Sequence, residues 1–185
     1  SALNCDTSLT TTLSALSGQL QSDIHMEFEV ARLEPLFADQ KDYEEFLARH
    51  NGHSVKSTDL SDYRGDCYLG IDGGSTTTKI ALVGEDGSLL YSFYGSNNGS
   101  LLSTTVNALK ELFAKLPEGT RIVRSCSTGY GEALLKAALL LDDGEVETVA
   151  HYYAAAFFNP DLDCILDIGG QDMKCIRIKN QTVDS

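Results

Sequence analysis

The sequence contains the same short device twice. Gly70-Ile71-Asp72-Gly73-Gly74-Ser75-Thr76-Thr77-Thr78-Lys79 and Leu166-Asp167-Ile168-Gly169-Gly170-Gln171-Asp172-Met173-Lys174 lie about 95 residues apart. Each runs from an apolar strand through an Asp and a Gly-Gly pair into a second, polar-headed strand. Adjacent glycines permit positive φ without a Cβ clash, so successive N–H groups can converge on one concavity. Such a nest binds anions without a basic side chain. One hairpin of this kind is an ordinary type I′ or II′ turn. Two of them imply a pair of bends facing each other across a gap sized for polyphosphate.

The residues around each bend refine that expectation. Gly73, Gly74, Ser75, Thr76, Thr77 and Lys79 are candidates for holding phosphates, the hydroxyls as donors and Lys79 near the mouth. Asp72 would repel phosphate unless a cation stood between them, and Mg²⁺ held largely through water meets that need. In the second copy Asp167 is the matching metal candidate, and Gly169 and Gly170 are the matching phosphate contacts. Gln171 and Asp172 are the catalytic candidates, placed to orient an attacking water. No Gly-x-x-x-x-Gly-Lys-Ser/Thr run occurs, and neither segment reads Gly-x-Gly-x-x-Gly before a helix. The Walker loop and the dinucleotide fingerprint are therefore excluded.

Composition narrows the partners. The 185 residues carry a net charge of −13, with −7 before residue 67 (5 basic, 12 acidic) and −6 after it (9 basic, 15 acidic). Nothing basic is clustered, which argues against nucleic acid and anionic membrane surfaces as partners. Repulsion of a nucleotide at long range is screened beyond roughly 8 Å at physiological salt, so local N–H groups and a cation must do the holding. Five cysteines with irregular spacing (Cys5, Cys67, Cys126, Cys164, Cys175) suit a reducing, cytoplasmic setting and show no Cys-x-x-Cys pattern. Three lie in apolar strand contexts, where a thiol serves as a small core hydrophobe. No apolar run approaches the roughly 18 residues that span a bilayer.

Periodicity gives the order of elements. Leu9, Leu13, Leu16 and Leu20 follow helical spacing within a Thr-rich stretch, and 24–32 alternates like a half-buried strand. Asp39 is placed to cap a short acidic helix ending at Asn51-Gly52, followed by a polar linker to 66. Strands are expected at 67–72, 76–83 and 88–94. A helix follows Ser96-Asn97-Asn98-Gly99-Ser100, with Leu102, Val106, Leu109, Phe113 and Leu116 along one face. A strand at 121–126, buried helices at 132–141 and 146–158, and an apolar strand at 164–168 of the kind found in sheet centres complete the run. Tyr152, Tyr153, Phe157 and Phe158 read as core and helix-packing residues rather than a ligand box. Thr128-Gly129-Tyr130-Gly131 falls where a strand hands over to a helix, a usual edge for a site in an α/β sheet, and Gly129 joins the phosphate-contact candidates. Glu147 and His151, four apart, share a helix face and read first as ion-pair or packing residues.

The two hairpins, Ser127-Thr128-Gly129-Tyr130-Gly131, and Glu147-Thr148-Val149-Ala150-His151 with Ala154 and Ala155 together resemble the actin-like ATPases, which include actin, heat-shock chaperone ATPases and sugar and acetate kinases. The likeness is greatest to the ATPase activators of 2-hydroxyacyl-CoA dehydratases and benzoyl-CoA reductases, and it covers about 66–184. It implies an α/β fold: a ribonuclease-H-like lobe, with a mixed sheet and flanking helices, at 66–185. A small α+β connector occupies 1–65 and resembles the segment before the second ATPase module of long CoA-substrate-specific activase fusions. The expectation is a fragment of such a fusion, holding one lobe and lacking the other.

By the same resemblance the parent binds ATP and Mg²⁺, and its ATP turnover drives an electron onto a CoA-ester dehydratase or reductase component. Family members hold a 4Fe–4S cluster at a dimer interface, so the resemblance allows a homodimeric parent; the cluster ligands are not among this chain's cysteines. Two alternatives stay open: a sugar or carboxylate kinase of the same fold, and a non-catalytic docking module in a multidomain fusion. An isolated lobe can neither complete an adenine site nor exclude water, so weak nucleotide binding and no useful hydrolysis are expected of the fragment. A ligand at about 100 times its Kd adds about 2.7 kcal/mol; millimolar MgATP should produce only a small rise in the melting temperature of this chain.

Overall fold

The computed structural model describes residues 12–21, 33–169 and 173–184. The chain divides into two compact units, Ser1–His53 and Ser54–Ser185. In the first, the helices among the described residues are α1 (Leu13–Gln21) and α2 (Gln40–Asn51). The Asp39 carboxylate accepts the Asp42 N–H at 2.9 Å and Gly52 ends α2, as the flanking Asp and Asn-Gly predict. The strand expected at 24–32 lies outside the described residues.

The second unit is built on a mixed sheet of order β3-β2-β1-β4-β5. Its strands are β1 (Gly65–Gly73), β2 (Thr77–Gly84), β3 (Leu89–Ser96), β4 (Thr120–Thr128) and β5 (Asp143–Gly144). The first three meander antiparallel, and β4 returns parallel to β1 after helix α3 (Leu101–Lys115). Cys67, Leu69 and Ile71 of β1 alternate toward one face with Ile80 and Leu82 of β2. Ala108, Leu109 and Leu112 of α3 and Leu135 of α4 (Glu132–Leu139) join the same core. This mixed sheet with flanking helices is the α/β architecture expected from the sequence.

Four expectations are corrected. Leu109 is buried and Leu102 and Leu116 pack against the core as expected, but the buried stripe of α3 is Thr105, Ala108, Leu109 and Leu112, and Phe113 is 56% exposed. Small residues let the helix lie close on the sheet, and the Thr105 hydroxyl, satisfied by the Leu101 carbonyl at 2.8 Å, can be buried there. Residues 54–64 are not a free linker: Leu60 joins the core, Ser57 pairs with Leu89, and the Tyr63 hydroxyl donates to the Asp66 carbonyl.

The third correction concerns β6 (Cys164–Ile168), which is not a central strand. It forms one edge of a separate sheet with β7 (Met173–Lys179) and β8 (Thr182–Asp184), in order β6-β7-β8. Leu166 and Ile168 are more than 70% exposed. A continuous apolar run demands cover on both faces but does not name the covering element, and among the described residues one face has none. Helix α5 (Glu147–Phe158), the last correction, has no buried residue, and Tyr153, Phe157 and Phe158 are each 66% exposed. It touches the main sheet's β2–β3 turn through Phe157, whose ring lies where a Gly87 Cβ would stand, and Tyr152 donates to the Gln181 carbonyl beside β8.

Leu112 is fully buried between α3 and the sheet. Leu112→Ala should cost about 2–5 kcal/mol in a urea titration, because the rigid sheet cannot collapse into the space left.

Candidate functional site

The first Gly-Gly turn is set by polar contacts rather than by unusual dihedrals. Gly73 pairs with Thr78 across the hairpin, and the Gly74 N–H donates to the Thr77 carbonyl at 2.9 Å. Neither Gly73 nor Gly74 has positive φ, which corrects the reading of the pair as a left-handed turn. The glycines serve close packing: a Cβ on Gly73 would meet Leu135 at 2.6 Å, and one on Gly74 would meet the Thr77 carbonyl at 3.0 Å. Asn97, only 4% exposed, ties the bend down. Its amide donates to the Gly74 carbonyl at 2.9 Å, its side-chain oxygen accepts the Thr78 hydroxyl at 2.6 Å, and its N–H donates to the Thr76 carbonyl. Sequence reasoning took Asn97 for turn punctuation. Only the β2–β3 pairing, which sets Thr77 opposite Ser96, brings it under the bend.

The loop after β4 closes on the same point. Gly129 has φ +84°, and a Cβ there would lie 2.4 Å from the Asp72 carboxylate and 3.0 Å from the Gly73 carbonyl. The Gly131 N–H donates to that carbonyl at 2.7 Å. Asp72 is thus held between this loop and Lys79, whose ammonium pairs with it at 2.8 Å. That hydrogen bond holds the Lys79 ammonium above the ordinary lysine value. A raised pKa stabilises the fold fully at pH below the unfolded lysine value, and the contribution is lost as pH rises through the folded one.

The second hairpin is joined to α5 by two pairs. Lys174 contacts Glu147 at 2.8 Å, and His151 Nδ1 lies 3.4 Å from an Asp167 carboxylate oxygen. Glu147 and His151, expected to form an ion-pair or packing contact on one helix face, instead each meet a residue of the second hairpin. The side-chain ligand atoms of Glu147, His151 and Asp167 all lie within 4.8 Å of one another, a group able to hold a cation.

Residues of both hairpins line one cleft of about 760 Å³. Asp72, Gly74, Ser75, Thr76, Thr77, Lys79 and Gly129 line it from the main-sheet side, and Gly169 and Lys174 from the other sheet. Gly73 and Asp167 do not line it. Gly170, Gln171 and Asp172 lie outside the described residues. Four further wall residues were given no role in the sequence reading: Glu132, Glu145, Val146 and Lys174. The walls carry four carboxylates (Asp72, Glu132, Glu145, Glu147) against two ammonium groups (Lys79, Lys174). An anionic ligand entering here needs a cation beside it, and Asp72 offers the hard oxygen donor such a cation prefers. No helix among the described residues is long and apolar enough to cross a membrane.

A mixed sheet of this order, with a cleft lined from its first hairpin and from the strands of a second sheet, has an actin-like ATPase fold, and solved structures agree. The crystal structure of (R)-2-hydroxyglutaryl-CoA dehydratase component A from Acidaminococcus fermentans superposes with a TM-score of 0.55 at 26% identity, covering 65% of this chain and 46% of that one. The activator of the 2-hydroxyisocaproyl-CoA dehydratase from Clostridium difficile with bound ADPNP gives 0.52 at 28% identity, covering 62% and 41%. Residues 69–185 match the BadF/BadG/BcrA/BcrD ATPase family, and the chain belongs to it. Among curated relatives, the (R)-2-hydroxyglutaryl-CoA dehydratase activating ATPase of A. fermentans is 29% identical over 116 residues, 62% of this chain and 44% of the relative. The chain thus spans less than half the length of these relatives.

Asn97→Ala would strand the Gly74 carbonyl and the Thr78 hydroxyl in a buried setting, so we expect a loss of about 1–3 kcal/mol by thermal or urea melting. An NMR titration of the lysine ammonium groups should place Lys79 above an ordinary lysine, and Asp72→Asn should return it toward the usual value.

Proposed function

We propose that this chain supplies the phosphate-gripping part of an ATPase that couples ATP turnover to electron transfer onto a 2-hydroxyacyl-CoA dehydratase or related CoA-ester reductase. The observation that carries the proposal is the shared cleft: the first bend and residues flanking the second, Gly169 and Lys174, line one space. Family membership and the likeness to dehydratase activators, one with ADPNP bound, support the same reading.

In this reading the five-stranded sheet with α3 and α4 is one jaw, and the β6–β8 sheet begins the other. Residues 66–185 then belong to the ATPase domain and 1–65 to a connector. Gly73, Gly74, Ser75, Thr76 and Thr77, with Lys79 and Gly129, hold phosphates from the first jaw; Gly169 and Gly170 hold them from the second. Gln171 and Asp172 position the attacking water. Asp72 would hold Mg²⁺ at the cleft, with Asp167, beside Glu147 and His151, the metal candidate on the second hairpin; when bound, the ion would supply positive charge between the acidic walls and the phosphates. Lys174 and Asp167, tied to Glu147 and His151, carry movement of the second hairpin into α5. The described cysteines do not make a cluster site: Cys67 is buried and Cys126 half-buried in the main sheet, away from the exposed Cys164 and Cys175 of the other. None of these cysteines is assigned as a cluster ligand, and no step above runs through a cluster.

The test uses the natural full-length protein with a dehydratase partner. We expect MgATP-dependent release of inorganic phosphate together with reduction of the partner, and a fall of about 100-fold or more in turnover for Asp72→Asn. Phosphate appearing on a sugar or carboxylate instead would assign the kinase chemistry, and an unchanged Asp72→Asn rate would remove Asp72 from the site.

A further inference from the structure

Cys164 and Cys175 sit on neighbouring antiparallel strands. The register sets Cys164 opposite Arg177 and Cys175 opposite Leu166, so the two cysteines are diagonal neighbours on one face. Diagonal side chains in a flat ladder stand well apart, but strand twist draws one diagonal together. Here the two sulfurs are 3.5 Å apart, already in contact. Both residues are exposed, whereas Cys67 is buried and Cys126 half-buried. The hydrogen bond with Cys175 is the first cause holding the Cys164 thiol above its ordinary value, which fits a shared S–H···S contact. Neither residue lines the cleft, and neither is used in the function proposed above.

We propose that Cys164 and Cys175 form a redox-active dithiol that a small-molecule disulfide of the glutathione type converts to an intrachain disulfide. One protein thiolate attacks the reagent, forming a mixed disulfide and expelling one reagent thiolate. The second cysteine then attacks the protein sulfur of that mixed disulfide and expels the other. The protein gives up two electrons and two protons, and the reagent leaves as two thiols. Closing the bond brings the sulfurs to about 2.05 Å, within reach of rotation about the two side chains and a small shear of the hairpin. The disulfide would enclose residues 165–174, the stretch that carries Asp167, Gly169 and Lys174. Oxidation therefore ties the base of the second glycine hairpin and restricts its movement against α5.

The chain's own protease sites make the test direct. Trypsin cuts after Lys136, Lys174 and Arg177, so Cys164 lies in peptide 137–174 and Cys175 in peptide 175–177. The dilute protein is equilibrated with oxidised and reduced glutathione, capped with N-ethylmaleimide and digested without reductant. We expect the two peptides joined, lighter than their sum by two hydrogen atoms, in material that runs as a monomer, with Cys67 capped only after denaturation. Cys175→Ser should leave Cys164 as a stable glutathione mixed disulfide, which reports access of the reagent independently. Mixed disulfides accumulating separately on both cysteines of the unaltered chain would overturn the proposal, as would joined peptides found only in covalent dimers. Neither result depends on nucleotide binding.

Discussion

Everything at the cleft depends on how closely two backbones approach where β1 ends and β4 turns into α4. The Gly131 N–H reaches the Gly73 carbonyl, and Gly129 passes the Asp72 carboxylate with no room for a methyl group. That approach leaves the Asp72 carboxylate against Lys79. Asn97 then pins the bend from below through three hydrogen bonds. A side chain at either glycine would push the β4 loop away and leave the carboxylate without its seat.

The electrostatics follow from the same arrangement. Both wall lysines are already engaged, Lys79 with Asp72 and Lys174 with Glu147, and carboxylates outnumber them. The cleft is therefore unsuited to a bare polyanion. It suits an anion that arrives with its own cation, where each lysine can exchange one oxygen partner for another. The pairs on the second hairpin end on α5, which leans on both sheets through Phe157 and Tyr152.

Much of this was legible in the sequence, because its signals are local. Asp39, Ser100 and Gly52 set helix ends by their own hydrogen bonds or geometry, and the alternation in β1 and β2 names the buried face directly. The Asp72-Gly73-Gly74 and Asp167-Ile168-Gly169 segments both stood out, and Asp72, Gly74 and Gly169 do line the cleft. What the sequence left hidden depends on long-range placement. Asn97 reaches the bend only through strand pairing. Thr105 and Ala108 are buried against the sheet side of α3 while the more apolar Phe113 is exposed, which periodicity alone does not reveal. The run at 164–168 has the composition of an interior strand, yet it is the hairpin partner of β7 that fixes its place.

The parallel pairing of β1 with β4 has a kinetic consequence. The two hairpins of the meander join residues near in sequence, whereas Asp72 meets Thr128 only after more than fifty intervening residues have been ordered. Loop closure of that length is entropically costly and slows assembly. The meander can therefore form first, with α3 and β4 docking afterwards, and the Asp72 seat is among the last features to appear. A half-folded chain would show most of its sheet and none of its grip, so binding competence would report completion of folding rather than its onset.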